Sequence, residues 1–171
     1  MKTNKAAKLH SVMLILFMCL SLEDVNAETR IAVLDFELKD LTLAPRIPAE
    51  ISRTASIKPT LENELKKSGY EIVFIPGEAQ LQTNAGVGYL FDHADIAAQL
   101  GDKYGADYVV VGRLHKPSFL FFYLMAHLVD VKKATLAGSY ISEVKGGDKK
   151  LVSKGVEGLT GKINKTLNAA E

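Results

Sequence analysis

The chain has 171 residues, 24% of them charged, and its 21 Lys and Arg nearly balance its 20 Asp and Glu. This balance argues against nucleic acid and anionic lipid as partners, because both are bound through clustered positive charge. The length fits one domain behind a leader, and a chain of this size buries roughly two-thirds of its unfolded surface.

Residues 1–27 are typical of a signal peptide for export. Three lysines precede the apolar run 12–22, and small or modest side chains at 25 and 27 precede Glu28, where a signal peptidase would cut. The run is short for a permanent membrane anchor, and a buried amino-terminal helix is the alternative. Cleavage would leave residues 28–171 as one periplasmic domain without a membrane span, carrying 18 side chains of each charge.

Cys19 is the only cysteine and lies inside the apolar run. A lipoprotein signal has a small residue before its cysteine, whereas Phe17 and Met18 precede Cys19 and the run continues to Leu22. We therefore predict a soluble exported protein rather than a lipidated one. Without Cys19 the mature chain has no cysteine, which excludes disulfides, thiolate catalysis and cysteine metal sites.

The first half of the domain predicts strands that alternate with helices. Apolar residues on both faces of 29–38 indicate a central strand, and the prolines of 39–48 indicate a loop. The helical spacing of 49–67 tolerates Pro59 if Ser56 caps a helix that begins at Ile57. Residues 49–55 would then form a separate turn or a kinked leading segment.

A second strand is predicted at 70–75, and the weak periodicity and three glycines of 77–91 predict a mobile loop. Asp92 is positioned to cap a helix that runs to Tyr104.

The second half predicts an antiparallel meander followed by one helix. Strands are indicated at 107–114, 119–131 and 135–144, joined by short connections, and an apolar stripe indicates a helix over 149–167. Three glycines at 155, 158 and 161 weaken that helix by about 1 kcal/mol each relative to alanine, so burial must offset the cost. The predicted fold is α/β with a single mixed five-stranded sheet, element order β-α-β-α-β-β-β-α, and parallel pairing among the first three strands.

Two pairs of segments in the sequence resemble known protein families. IAVLDFE at 31–37 and AAQLGDKYGADYVVVGRL at 97–114 resemble the amino-terminal domain of TolB, a pairing shared with periplasmic penicillin-binding-protein activators and the curli secretion channel protein. RTASIKPTLENELKKSGYEIV and GADYVVVGRLHKPSFLFFYLMAHLVDV more closely resemble a family of secreted bacterial proteins with a domain of unknown function, over about 31–165.

The resemblance implies a TolB-like fold and action through protein contacts rather than catalysis. It also implies a setting in the periplasmic machinery around quinone-cofactor alcohol oxidation. The chain departs from several lipid-anchored relatives because it has no lipobox.

The segment after the third predicted strand is the first candidate site. Arg113, His115, Lys116 and Ser118 lie beside Pro117, and Arg113 and Lys116 suit a carboxylate or a phosphate. If the first and third strands are neighbours, Asp35 or Glu37 approaches Arg113 at their carboxyl ends, where open α/β sheets bind ligands. The alternative is a solvated turn with a structural Asp–Arg pair.

The fourth predicted strand is apolar on both faces and is the second candidate. One face has Phe119, Phe121, Tyr123 and Met125, and the other has Leu120, Phe122, Leu124 and Ala126. Helices on one side of the sheet cover only one set, so the other set predicts a protein interface. The alternative is that the final helix or the glycine-rich segment covers the second face.

No catalytic site, metal site or cofactor is predicted. Serine-nucleophile, phosphate-loop and HExxH motifs are absent from the sequence. The acidic residues Asp35, Glu37 and Asp40 could serve acid–base or calcium chemistry, but a solvated strand end explains them as well. The sequence therefore predicts an exported accessory protein that binds another periplasmic or envelope protein. A carrier of a small anionic ligand near Arg113, His115 and Lys116 is the alternative.

Overall fold

The structure is a computed structural model that describes residues 28–145 and 149–169. The predicted leader and Cys19 lie outside these residues. The strands are β1 Arg30–Val33, β2 Glu37–Asp40, β3 Glu71–Val73, β4 Tyr108–Lys116, β5 Phe121–Asp130 and β6 Thr135–Lys145. The helices are α1 Pro48–Ala55, α2 Ile57–Lys67, α3 Gly77–Thr83, α4 Tyr89–Asp92, α5 Ala94–Lys103 and α6 Lys149–Asn168. None of these helices combines the length and the apolar character that crossing a membrane requires.

The sheet has the order β3-β1-β4-β5-β6, and β2 follows β1 along the same edge of β4. β1 pairs in parallel with both β3 and β4, whereas β4, β5 and β6 form an antiparallel meander. The predicted α/β class, the mixed sheet and both kinds of pairing are confirmed.

The described sheet has one strand more than predicted, because segment 29–38 forms two strands instead of one. The Leu34 N–H still bonds to the Val110 carbonyl, but the backbone N–H and C=O of Asp35 both bond to the Gln80 side-chain amide. Pairing with β4 resumes one residue out of step, with Ile31 opposite Tyr108 and Glu37 opposite Arg113.

Two apolar cores lie on the two faces of the sheet. On one face, α2 and α6 pack Leu61, Leu65, Leu159 and Ile163 against β1, β4, β5 and β6. On the other face, α4 and α5 pack Phe91 and Leu100 against the first half of β4. As predicted, α2 begins at Ile57 and holds Pro59 in its first turn, and the leading segment is the separate helix α1.

Three local predictions are wrong. Segment 77–91 is not a loop but contains α3 and α4, which are too short to show a helical period, and Leu90 and Phe91 are buried. Asp92 does not cap a helix, because it is the last residue of α4 and α5 begins at Ala94. Ser56 precedes α2 without capping it, and its hydroxyl donates to the Arg53 carbonyl instead.

Helix α6 lies close to the sheet because two of its glycines, Gly155 and Gly158, leave room for side chains of β5 and β6. A methyl group on Gly155 would lie 2.7 Å from Leu124 Cδ1 and 2.8 Å from Val144 Cγ2, whereas one on Gly161 would meet nothing within 4 Å. At the sheet margin, the Lys162 ammonium of α6 donates to the Ile141 carbonyl of β6. The predicted cost of glycine in this helix is thus offset at Gly155 by close packing.

Gly155→Ala and Gly161→Ala form a matched pair within α6. We expect Gly155→Ala to lower the free energy of unfolding by about 1–3 kcal/mol, because the added methyl overpacks Leu124 and Val144. Gly161→Ala should raise it by up to about 1 kcal/mol through helix propensity. Urea denaturation of the purified protein measures both changes, and equal effects of the same sign would contradict the packing described for α6.

Candidate functional site

The polar residues predicted to form a site after the third strand do not lie together. The structure divides them between the two faces of the sheet and the turn that follows β4. β4 extends to Lys116, two residues beyond the predicted end, and pairs with β2 as far as Lys116 and with β5 as far as His115. Successive side chains on a strand point to opposite faces. Arg113 and His115 therefore lie on one face and Lys116 on the other, and the turn follows at residues 117–120.

Arg113 is held in a structural ion pair. Its Nη2 lies 3.4 Å from Glu37 Oε2, and the two side chains are only 12% and 15% exposed. Glu37 also accepts hydrogen bonds from the Gly88 N–H, and the guanidinium lies over the Phe91 ring at 4.3 Å. Of the two predicted partners, Glu37 meets Arg113, whereas Asp35 pairs with Lys58 at 3.1 Å.

On the opposite face of the sheet, the positive charge of Lys116 is balanced by Glu50. Its Nζ lies 2.7 Å from Glu50 Oε1 of α1, and the two side chains are 6% and 5% exposed. Glu50 also pairs with Arg53 of the same helix, so one carboxylate balances two cations and its contact with Lys116 joins α1 to β4. Arg113 and Lys116 therefore do not converge on a common ligand.

Ser118 lies in the turn after β4, where its Oγ accepts a hydrogen bond from the Leu120 N–H at 3.2 Å. The hydroxyl thus contributes to the local shape of the turn.

The acidic residues 35, 37 and 40 do not form a cluster. Asp40 accepts from the Thr42 N–H and hydroxyl and from the Arg46 N–H, while the other two carboxylates have the separate cations described above. Within 28–145 and 149–169, no three His, Cys, Asp or Glu side chains are grouped as metal ligands.

The two faces of β5 differ in their cover. Phe122, Leu124 and Ala126 are buried on the side of α2 and α6. Phe121, Tyr123 and Met125 point to the other side and remain half-buried. Along this other side, α4 and α5 cover the first half of β4, and Phe91 stacks on His127 at 3.8 Å. The predicted glycine-rich segment thus covers one end of this face and leaves the other end open.

We call the uncovered end the open face, formed by His115, Phe121, Tyr123, Met125 and Ile141. Tyr123 pairs across the sheet with His115, at 6.3 Å between ring centroids, and Phe121 meets Tyr123 edge-on at 5.6 Å. Ile141 lies opposite Met125 and is 51% exposed. The centre of the open face is therefore formed by aromatic side chains that stand on neighbouring strands.

Phe119 does not lie on the open face, although the sequence places it with Phe121. Strand alternation begins only at Phe121, and the Phe119 ring lies in the turn, 5.3 Å from the Lys116 ammonium on the opposite side. Phe119 is 61% exposed and Leu120 is 77% exposed, so the turn presents apolar surface beside the open face.

His115 of the open face and His127 beside it both have a lowered pKa. Burial, together with the positive charges of Lys39 and Arg113, lowers the pKa of His115. Burial also lowers the pKa of His127, whose Nδ1 lies 2.9 Å from the Phe91 carbonyl. Both imidazoles therefore resist protonation in the folded protein.

Sequence reasoning missed a cleft of about 480 Å³ beside β2. Its walls come from β2, from α1 and α2, and from the segment between α3 and α4. These segments are far apart in the sequence and contain no recognisable motif. The only available signal was the general preference of open α/β sheets for sites at strand carboxyl ends.

A family model matches most of the chain. The model of DUF3280, described as "Protein of unknown function (DUF2380)", matches residues 29–163. No curated protein matches the chain significantly.

Several solved structures are similar in fold. The hypothetical protein CT253 from Chlamydia trachomatis is 11% identical, with a TM-score of 0.57 over 84% of this chain and 99% of that one. TolB from Acinetobacter baumannii is 16% identical, with a TM-score of 0.53 over 84% of this chain and 29% of TolB. E. coli LpoB is 16% identical, with a TM-score of 0.51 over 70% of this chain and 59% of LpoB. The predicted TolB-like fold is confirmed.

Substitutions at the buried pair test its role in joining β4 to α1. Glu50→Ala leaves Lys116 buried without its carboxylate, so we expect a loss of about 3–5 kcal/mol in the free energy of unfolding. Lys116→Met should cost less, because Arg53 still pairs with Glu50. Chemical denaturation measures both variants, and a larger loss for Lys116→Met would contradict this assignment.

The two neutral histidines predict a loss of stability in mild acid. The pKa of each is lower in the folded protein than its ordinary value of about 6.5, so the unfolded chain takes up the proton first. The free energy of unfolding should be level above about pH 6.5 and fall as the pH drops below it. The double substitution His115→Gln with His127→Gln should flatten this slope in urea denaturation between about pH 5 and 7.

The Asp107 carboxylate acts at lower pH and serves as an internal reference. A hydrogen bond from Arg30 lowers the pKa of Asp107, so its contribution is lost only below about pH 4. An unchanged slope above pH 5 in the double variant would contradict the assignment to the histidines.

Proposed function

The chain belongs to the DUF3280 family, and we propose that it is an exported accessory protein that acts by binding another protein of the periplasm or envelope. The open face is the observation that carries this proposal. Half-exposed aromatic side chains are grouped on one sheet surface, next to an exposed apolar turn. Aromatic residues and methionine are enriched at the centres of protein interfaces.

The surroundings of the open face fit the polar rim of an interface. Lys39 and Glu143 are exposed on neighbouring strands, opposite His115 and Tyr123 respectively. Lys145 lies opposite Phe121 and is 3.6 Å from Glu143. A partner that binds here would bury the apolar centre of the open face inside a ring of mixed charge. This ring would exclude water from the centre, and the partner would not need a strongly charged surface.

The proposed partner belongs to the envelope, and the resemblance to relatives near quinone-cofactor alcohol oxidation makes a quinoprotein dehydrogenase system the first candidate. The fold likeness to TolB and LpoB supports a role without catalysis. Carriage of a small anion at Arg113, His115 and Lys116 has less support, because Arg113 and Lys116 are already paired with Glu37 and Glu50.

Capture of the partner tests the open face directly. The tagged protein is used to isolate binding partners from periplasmic extract, and the partner identified by mass spectrometry is then titrated with each variant. Phe121→Ser should weaken binding by about 2 kcal/mol or more, roughly thirtyfold in Kd, if Phe121 is an interface anchor. Leu81→Ser is the control, because Leu81 is 74% exposed on α3 and is not one of the residues that form the open face.

Both variants should keep the melting temperature within a few degrees, since neither side chain is fully buried. Unchanged partner capture and an unchanged oligomeric state in Phe121→Ser would overturn the proposal.

A further inference from the structure

The cleft beside β2 lies at the point where the two helical connections of the sheet diverge. β1 connects to β3 through α1 and α2 on one face, and β3 connects to β4 through α3, α4 and α5 on the other. Open α/β sheets bind ligands at such a switch point, outside the carboxyl ends of the strands. The floor of the cleft is formed by residues 35–38.

Strand β2 has a free edge in this cleft. β4 occupies one side of β2, whereas β3 pairs only with β1 and ends at Val73. The Leu41 N–H donates to the Lys116 carbonyl at 2.9 Å, and in this parallel register residues 37, 39 and 41 make the bonds to β4. The backbone N–H and C=O of Leu38 and Asp40 therefore point away from β4.

These outward groups differ from those of Asp35. The Gln80 amide satisfies both backbone groups of Asp35, whereas no hydrogen bond to the outward groups of Leu38 or Asp40 is present in the described part of the chain. An extended chain offers matching donors and acceptors to these groups in one row.

The side walls of the cleft suit the alternating side chains of an added strand. Ile51 and Ala55 of α1 line one side, and Val87 lines the other. Ile51 is 49% exposed and Val87 is 77% exposed. Because successive side chains of a strand point to opposite faces, an added strand would meet the two walls in turn.

The charge in the cleft favours an acidic segment. Asp35 is paired with Lys58, and Glu37 is paired with Arg113. Arg46 also lines the cleft, and its guanidinium has no ion pair or hydrogen bond among residues 28–145 and 149–169. Of the four charged side chains that line the cleft in the described part of the chain, Arg46 is therefore the one left to meet a carboxylate.

We propose that the cleft binds an extended peptide segment of a partner protein, which adds as a strand to the free edge of β2 and places a carboxylate at Arg46. This site is separate from the open face and does not depend on it. The backbone edge supplies affinity for an extended chain, and the two walls and Arg46 supply selectivity.

Selection from a phage-displayed library of random peptides against the purified exported protein tests the proposal without a known partner. We expect the enriched peptides to combine alternating apolar residues with Asp or Glu. Synthetic copies are titrated against Ala55→Glu, which narrows and acidifies the cleft, and against Ala55→Ser, which preserves its size. Ala55 is exposed at the end of α1, so both variants should fold.

Binding should fall at least about tenfold in Ala55→Glu and in Arg46→Glu, and should be unchanged in Ala55→Ser and Leu81→Ser. Hydrogen exchange at the amides of residues 38 and 40 should slow when the peptide binds. The proposal is overturned if no peptide is enriched, if Ala55→Glu binds as well as the unmodified protein, or if those amides are not protected. Loss of binding in Phe121→Ser alone would assign the peptides to the open face and would also overturn it.

Discussion

Strand β4 is the constraint on which the rest of the structure depends, because it is paired along both edges. β1 and then β2 occupy one edge, and β5 occupies the other. This double pairing fixes Arg113 and Lys116 on opposite faces, where each is almost buried and requires a partner. Glu37 and Glu50 are those partners, so the two ion pairs tie the segment after β1 and helix α1 to the central strand.

The lengths of the helices explain why one face of the sheet is open. α6 has 20 residues and spans about 30 Å, which is close to the roughly 34 Å of the ten-residue strand β5. α5 has ten residues and spans only about 15 Å, so it cannot cover the same strand on the other face. The meander from β4 to β6 adds no helix there, because its connections are turns. The partial cover of Tyr123 and Met125 thus follows from the order of the elements.

Periodicity and turn residues predicted the α/β class, the pairing of the strands, the start of α2 and the approach of Glu37 to Arg113. The missed features depend on contacts between distant segments or on elements shorter than the period that reveals them. The break at Asp35 is made by Gln80, 45 residues away, and α4 has only four residues. Placing the end of β4 at Leu114 rather than Lys116 was enough to group side chains that point in opposite directions. The cleft is formed by segments that only the folded chain brings together.

The contact between Lys162 and the Ile141 carbonyl lies on the edge strand of the sheet. β6 has 11 residues and is an edge strand of the sheet. The unpaired backbone groups of such a long edge can pair with an identical chain and so promote fibrils. A lysine ammonium seated on that margin occupies one acceptor and places positive charge where a second copy would dock. We therefore expect Lys162 to disfavour edge-to-edge association of identical chains.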